Sequence, residues 1–239
     1  MPKFLPANIE FAVVSAGGVA TTSLIEFFAL KHHVNTPSDE DGFKHMPIAP
    51  VSFNPNFRYV FVFGCPVAAT VSLFRRGYHA LQSRKLQRGY KPYRPIPLAM
   101  TLEKYAEQGE DRLGFERQFL NYYDRHLIHP TLFVRYDCLW SNLDTLADFL
   151  FLDRAEMKDF PPRLARKSEE LVVSKATLDQ LYEIYRPFIT RLKELPEVFV
   201  RGEELPRGRV RLLFTKNFHT AVKNGIVSRF KPVTGPYGE

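Results

Sequence analysis

The chain has 239 residues, 45% of them hydrophobic and 25% charged, which is ordinary for a globular protein able to bury a core. A net charge of +7 favours a phosphate- or sulfate-bearing partner but does not separate a nucleotide from a polyanionic glycan, a nucleic acid or an anionic membrane. Cys65 and Cys138 are too few for a disulfide framework, and residues 1–8 and the rest of the chain lack a signal-peptide core or a membrane-spanning run, so we expect a cytoplasmic protein without a membrane span.

The first predicted unit is a strand, a glycine turn and a helix. Residues 9–16, IEFAVVSA, predict a buried strand, and the residues from Thr21 onward predict a helix with Thr21 or Thr22 as its N-cap. A helix N-terminus presents unpaired N–H groups, and glycines let an anion approach the backbone. The turn is therefore a candidate phosphate-binding loop without a lysine, made of Gly17, Gly18, Val19, Ala20, Thr21, Thr22 and Ser23.

Lys44 and His45 stand together in the segment GFKHMP that follows this helix. Histidine suits the removal of a proton from a hydroxyl near neutral pH, and an adjacent ammonium can stabilise an anionic group in transfer. The pair is therefore a candidate catalytic group, although a single histidine in isolation is more often structural.

The second predicted unit is a strand over residues 57–64, FRYVFVFG, followed by one long helix over residues 67–86. Ser72, Arg75 and Arg76 have the spacing i, i+3 and i+4, which places them on one helix face. A hydroxyl beside guanidinium groups suits the recognition of a phosphate, whereas the alternative is a solvated basic surface.

Later segments complete the predicted fold. A third strand and further helices are predicted, together with a mobile, proline-interrupted loop and a basic tail: strand 130–137, a helix from about Ser141, helices 115–127 and 174–195, loop 88–100 and tail 201–239. Strands separated by helical patterns predict a three-layer, P-loop-like α/β fold with a parallel central sheet flanked by helices. We expect one domain over residues 1–200 and a basic extension over residues 201–239.

These motifs, in this order, resemble the nucleotide-dependent sulfotransferases. GVATTSL (18–24) takes the place of the family's PKSGTTWL loop, and KHMP (44–47) resembles its KTHLP segment with one residue fewer. GCPVAATVS (64–72) aligns without a gap with RDPRDVAVS, and residues 132–152 resemble the family's YEDL strand and following helix. The resemblance covers roughly residues 9–195.

The resemblance implies the transfer of a sulfuryl group from 3′-phosphoadenosine 5′-phosphosulfate to a hydroxyl acceptor, without a metal. The loop from Gly17 to Ser23 would hold the 5′-phosphosulfate, and Ser72 would hold the 3′-phosphate. His45 would act as general base, with Lys44 near the sulfuryl group. The acceptor stays open, with a carbohydrate as the first candidate and with loop 88–100 and helix 115–127 as candidate walls of its pocket.

Two family cations are absent, because the loop lysine falls on Gly18 and the arginine before the DP pair falls on Gly64. Each loss removes a charge-assisted contact worth roughly 1.5 to 3 kcal/mol. Several basic residues are candidates to replace them: Lys44, Arg75, Arg76, Arg163, Arg166, Lys167, Lys223 and Arg229.

Two other classes stay open. A P-loop kinase or NTPase would share the strand, loop and helix, but it normally needs the loop lysine and an acidic Mg²⁺ ligand, and we take Asp137 as structural. A non-catalytic anion-binding module on a degenerate sulfotransferase fold is the other. No nucleic-acid motif is present, so a nucleic-acid partner is not expected. We expect no metal site, since His126 and His129 have no partner pair nearby.

Overall fold

The computed structural model describes residues 4–124, 129–163 and 173–202. This part of the chain has an α/β fold. Its elements, in chain order, are β1 (Phe11–Val14), α1 (Thr21–Ala29), β2 (Arg58–Phe63), α2 (Pro66–Arg75), α3 (His79–Leu86), α4 (Leu102–Glu107), α5 (Phe115–Tyr123), β3 (Thr131–Arg135), α6 (Leu143–Leu150), α7 (Lys175–Glu194) and β4 (Val198–Arg201). Short 3₁₀ turns follow β3 and α6. None of the described helices is both long and apolar enough to cross a membrane.

The four strands form one open sheet in the order β1-β2-β3-β4. The first three are parallel, with Val13 beside Val60 and Val60 beside Leu132, which confirms the predicted parallel sheet for these strands. The fourth strand, β4, pairs antiparallel with β3 and was not predicted. It also runs one residue past the expected domain boundary after residue 200. The rest of the expected extension, residues 203–239, lies outside the described residues.

Both faces of the sheet are buried, because alternate residues of each strand enter two different hydrophobic clusters. On one face the aromatic side chains of β2 and β3 pack against α2, α5 and α7: Tyr59, Phe61, Phe63 and Phe133. On the other face smaller side chains pack against α1 and α6: Val60, Val62, Leu132 and Val134. Helices therefore cover both faces, as expected for a largely parallel sheet of continuously apolar strands.

The single long helix predicted over residues 67–86 is two helices, α2 and α3. They are separated at Gly77, whose φ of 70° lies in the left-handed region that glycine adopts without strain. In contrast, α7 continues through Pro187 as one helix of 20 residues.

The predicted mobile loop, residues 88–100, is tied to α3. The side chain of Gln87 accepts the Arg94 N–H at 2.8 Å and donates to the Arg94 carbonyl at 3.0 Å. The Ser83 hydroxyl accepts the Ile96 N–H at 2.9 Å, and Ile96 is buried. These bonds hold Arg94 and Ile96 of the loop against α3 and the residue that follows it, and the expected mobility of the loop stays a prediction.

The outer edge of β1 is closed by residues 33–44, which bring Lys44 to the end of the strand. The Asn35 side chain pairs with both backbone groups of Val13, at 2.8 and 3.0 Å. Glu10 N–H donates to the His33 carbonyl at 2.8 Å, and Ser15 N–H donates to the Lys44 carbonyl at 3.0 Å. The segment therefore follows β1 almost as another strand would.

Candidate functional site

Every residue assigned to the site from the sequence lines one cavity of about 580 Å³. The cavity brings together the loop after β1, the first turn of α1, the lysine–histidine pair and one face of α2. Its other described lining residues are Pro37, Ser38, Asp39, Tyr78, Leu81, Gln82, Lys85, Tyr136, Leu139, Trp140, Phe160, Pro161 and Pro162. Loop 88–100 and α5, the expected walls of an acceptor pocket, are absent from this described lining.

The loop between β1 and α1 turns through left-handed conformations at Gly17, Gly18 and Ala20, with φ values of 101°, 75° and 52°. The Ser15 hydroxyl accepts the Gly17 N–H at 3.1 Å and lies 3.1 Å from the Thr21 hydroxyl. The turn is therefore held from inside, which leaves its outer surface facing the cavity.

The first turn of α1 opens into the cavity without an acidic residue and without a side-chain cap. The helix begins at Thr21, so the expected N-cap at Thr21 or Thr22 is wrong, and Ala20 takes that position. Thr22 and Ser23 are exposed. The start of the helix thus combines N–H groups, a partial positive charge and two hydroxyls, which together favour an anion.

Lys44 is buried, and its ammonium reaches the first turn of α1. Its Nζ donates to the Thr22 hydroxyl at 2.5 Å and to the Pro37 carbonyl at 2.7 Å. Burial lowers the pKa of Lys44, and the nearby Asp39 carboxylate opposes that shift. An ammonium has three donors, so a third N–H is available for an anion at the helix N-terminus.

His45 is fixed in one tautomer by the end of β1. Its Nδ1 lies 2.8 Å from the Ser15 carbonyl, and because a carbonyl only accepts, Nδ1 carries the hydrogen. Burial lowers the pKa of His45 to about 4, with Asp39 opposing the shift. The ring is therefore neutral at pH 7, and its Nε2 is the nitrogen able to accept a proton.

Asp39 holds the lysine–histidine pair against α3 and was missed by the sequence analysis. Its buried carboxylate accepts the Lys44 N–H at 2.9 Å and forms an ion pair with Lys85. Residues 39–42, DEDG, resemble part of a calcium loop in sequence, but here the Asp39 carboxylate binds the backbone N–H of Lys44 and the ammonium of Lys85. The partners are 46 positions apart, and no local pattern reports such a pair.

The predicted face of α2 does contribute its three residues to the cavity. Ser72 is buried, and Arg75 and Arg76 line the cavity together with it. Arg76 Nε donates to the Ser72 carbonyl at 3.1 Å, and its guanidinium lies 5.4 Å from the centre of the Tyr78 ring. These contacts fix the Arg76 guanidinium at the end of the α2 face that carries Ser72, and a fixed guanidinium suits bidentate contact with a phosphate.

The charge of the described lining is strongly positive. Its cations are Lys44, Arg75, Arg76 and Lys85, and its carboxylate is Asp39. A cleft lined mainly by one sign of charge concentrates the opposite ion. The cavity is therefore suited to a ligand with several negative charges.

Another part of the cavity is aromatic and was not predicted. Tyr136 and Trp140 follow β3, and Phe160, Pro161 and Pro162 follow α6. Trp140 Nε1 donates to the Pro161 carbonyl at 2.9 Å, which joins the two segments. Trp140 is the single tryptophan of the sequence, which is a reason to consider it as a functional residue. Its position in the cavity depends on the contact with Pro161, which no local pattern indicates.

Gly18 and Gly64, which stand where the sulfotransferase motifs have a cation, lie where a side chain has little room. A Cβ on Gly18 would lie 3.0 Å from the Ala69 Cα of α2, and φ at Gly18 is positive. A Cβ on Gly64 would lie 3.1 Å from Val19 Cγ1. Of the candidate replacements, Lys44 reaches the start of α1, and Arg75 and Arg76 lie beside Ser72.

Other candidate residues are placed as follows. Arg163 lies over the rings of Tyr136 and Trp140. Arg166, Lys167, Lys223, Arg229 and His126 lie outside the described residues. The Asp137 carboxylate accepts a hydrogen bond from Arg135 Nε at 2.8 Å. Within the described ranges, no cluster of three or more His, Cys, Asp or Glu side chains could hold a metal ion.

His129 is buried beside the rings of Phe57 and Tyr59 and is absent from the described cavity lining. Its Nε2 accepts the Ser52 N–H at 3.1 Å, and burial lowers its pKa to about 4.

Comparison of the chain with protein-family models, with curated proteins and with solved structures finds no match. The function is therefore argued from the cavity itself.

Proposed function

We propose that the chain is a sulfotransferase that moves a sulfuryl group from 3′-phosphoadenosine 5′-phosphosulfate to a hydroxyl, with a carbohydrate as the first acceptor to test. One observation carries the proposal. Three motifs, separated by up to 59 positions in the sequence and matched to the family one by one, line a single cationic cavity. The β1, loop and α1 unit would then be the P-loop-like part of the fold.

The cavity residues divide naturally among the parts of the reaction. The first turn of α1 and Lys44 hold the 5′-phosphosulfate, and Ser72 with Arg75 and Arg76 holds the 3′-phosphate. Oriented donors at the phosphate oxygen that gains charge are the main catalytic requirement of such a transfer. The positive wall supplies them without a lysine in the loop.

In the transfer, the acceptor oxygen forms a bond to sulfur as the bond from sulfur to the 5′-phosphate oxygen breaks. The electron pair of the broken bond stays on the phosphate, and the acceptor proton passes to His45 Nε2. With a pKa of about 4 the free histidine is a weak base at neutral pH. The negative charges of a bound nucleotide stabilise the imidazolium, so binding raises this pKa toward the working range.

The kinase alternative is less well supported. A kinase needs carboxylates for Mg²⁺, whereas Asp39, the carboxylate of the described lining, already pairs with Lys85.

Cys65 and Cys138 are free thiols, which fits the expected cytoplasmic location because that compartment is reducing. Fractionation of the producing cells tests the location.

The proposal is tested first by ligand-dependent stability. At 100 times its Kd a ligand stabilises the fold by about 2.7 kcal/mol, which corresponds to roughly 5 to 10 °C for a domain of this size. Adenosine 3′,5′-bisphosphate is expected to produce such a shift in Tm, and ATP with Mg²⁺ a smaller one. Stabilisation by ATP and Mg²⁺ alone would overturn the sulfotransferase assignment, and no shift with either would also contradict it and favour the binding module.

The second test separates catalysis from binding. His45→Ala is expected to abolish sulfuryl transfer to a panel of carbohydrates while the Kd for adenosine 3′,5′-bisphosphate changes less than about threefold, because the imidazole acts on the acceptor. His33→Ala is the matched control, since His33 is exposed and absent from the described lining. Equal loss of transfer and binding in His45→Ala would mean that His45 has a structural role.

A further inference from the structure

The aromatic side chains of the cavity form a corner. The rings of Tyr136 and Trp140 lie 5.5 Å apart between centroids and at 81° to each other. The Trp140 ring lies 6.0 Å from that of Phe160, and its Nε1 is bonded to the Pro161 carbonyl. A flat ligand can stack on the face of one ring and meet the edge of the next, the two favourable arrangements of aromatic pairs.

A positive charge also lies over two rings of the corner. The Arg163 guanidinium lies 5.5 Å from the centre of the Tyr136 ring and 5.8 Å from that of Trp140. Fixed aromatic faces beside arginine are the features by which proteins bind nucleobases without reading their sequence. A saturated acceptor lacks the π-face that would use two perpendicular rings.

The corner shares its cavity with the phosphate-binding groups at the start of α1 and on α2. The volume of about 580 Å³ is within the range of sites for small organic ligands and cofactors. The remaining wall, with Asp39, Gln82 and Lys85, is polar and lies near His45, as a hydroxylated acceptor requires. The cavity thus contains separate surfaces for a base, for phosphates and for an acceptor.

We propose that the corner formed by Tyr136, Trp140 and Phe160–Pro162 binds the purine base of the nucleotide by stacking on Trp140. This assignment rests on the proposed function, and it adds which residues hold the base and how the nucleotide lies in the cavity. The base is on the corner, the phosphates lie at α1 and α2, and the transferred group points toward His45.

The sequence contains one tryptophan, so the tryptophan emission of the unmodified full-length protein, excited selectively at the red edge of its absorption, reports on Trp140 alone. Adenosine 3′,5′-bisphosphate is expected to quench this emission with saturation at its Kd, since a stacked purine quenches indole. Inorganic pyrophosphate, which carries phosphates and no base, is the matched ligand and is expected to compete for the cavity without comparable quenching.

Two variants measure the contribution of the ring. Trp140→Ala is expected to weaken binding of adenosine 3′,5′-bisphosphate by roughly 5- to 150-fold, the range for loss of one base–aromatic stack, and to leave pyrophosphate binding within about threefold. Trp140→Phe keeps an aromatic face and is expected to bind within about fivefold of the wild type. Isothermal titration calorimetry measures all three proteins.

The outcomes distinguish this inference from the function on which it rests. If adenosine 3′,5′-bisphosphate stabilises the wild-type fold but neither quenches Trp140 nor binds Trp140→Ala more weakly, the base lies elsewhere and the proposed function stands. If the bisphosphate does not bind the wild type, both are overturned. Because the fluorescence experiment needs no substitution, it decides the matter even if Trp140→Ala does not fold.

Discussion

Replacing Lys44 by methionine removes the ammonium at the start of α1 while keeping a long, flexible side chain of similar volume. Lys44 Nζ makes two hydrogen bonds, to the Thr22 hydroxyl and to the Pro37 carbonyl, and its third donor is assigned above to the 5′-phosphosulfate. The substitution therefore tests whether this residue supplies the charge that the loop lacks.

Binding and stability are expected to respond differently. Loss of one charge-assisted contact of about 1.5 to 3 kcal/mol weakens the binding of adenosine 3′,5′-bisphosphate by roughly 10- to 150-fold. In the free protein, losing two hydrogen bonds costs about 1 to 3 kcal/mol, but removing a buried charge offsets part of that cost. We therefore expect the free energy of unfolding to change by less than about 2 kcal/mol.

The assay is isothermal titration with the bisphosphate, together with urea unfolding of each variant. Lys31→Met is the control, because the Lys31 side chain is 61% exposed and pairs with Glu156 outside the described cavity lining. A change in Kd of less than threefold in Lys44→Met, with the fold intact, would refute the argument that Lys44 replaces the loop lysine.

Three further predictions concern the loop, the buried histidine and the ion pair. Gly18→Ala is expected to lower the free energy of unfolding by about 1 to 3 kcal/mol more than Gly77→Ala does, as measured by urea titration. Both glycines have φ near +70°, but only the Cβ added at Gly18 would contact the facing helix. Equal losses in the two variants would contradict this steric explanation. His129 has a pKa of about 4 in the folded protein and about 6.5 in the unfolded chain, so the unfolded state binds a proton at higher pH than the folded state does. The free energy of unfolding therefore falls by about 3 kcal/mol between pH 6.5 and pH 4. His129→Gln is expected to remove this pH dependence, and an unchanged pH slope in the variant would contradict the reasoning. Asp39→Asn removes the charge that raises the pKa of His45, so that pKa falls further in an NMR titration while that of His129 stays constant; a pKa of His45 that does not fall would contradict the role given to Asp39.

Part of the fold follows directly from local sequence. The apolar runs before Gly17, Gly64 and Asp137 each gave a buried parallel strand, because such strands are apolar on both faces and end at turns. β4 has four residues on the sheet edge, too few for a periodic pattern. The division between α2 and α3 depends on one glycine that local propensity tolerates within a helix.

The candidate site likewise contains residues that local sequence patterns predict and residues that they do not. Lys44, His45 and Ser72 were predictable because each lies in a short motif next to a strand or helix end, where parallel strands bring their connections to one edge of the sheet. Lys85 and Trp140 were not, because each reaches the cavity through a partner far away in sequence, Asp39 and Pro161. Such contacts depend on how whole elements pack, which a local pattern does not report.

The segment along the outer edge of β1 has a consequence for association between molecules. An edge strand offers unpaired N–H and C=O groups to any other strand, which is a route to aggregation. Here the Asn35 amide occupies both groups of Val13, and the Lys44 carbonyl occupies the N–H of Ser15. The residues that carry the lysine–histidine pair to the cavity thereby also cover this edge. A substitution that detaches the segment would expose the backbone groups of β1 to other molecules and would also displace Lys44 and His45 from the cavity.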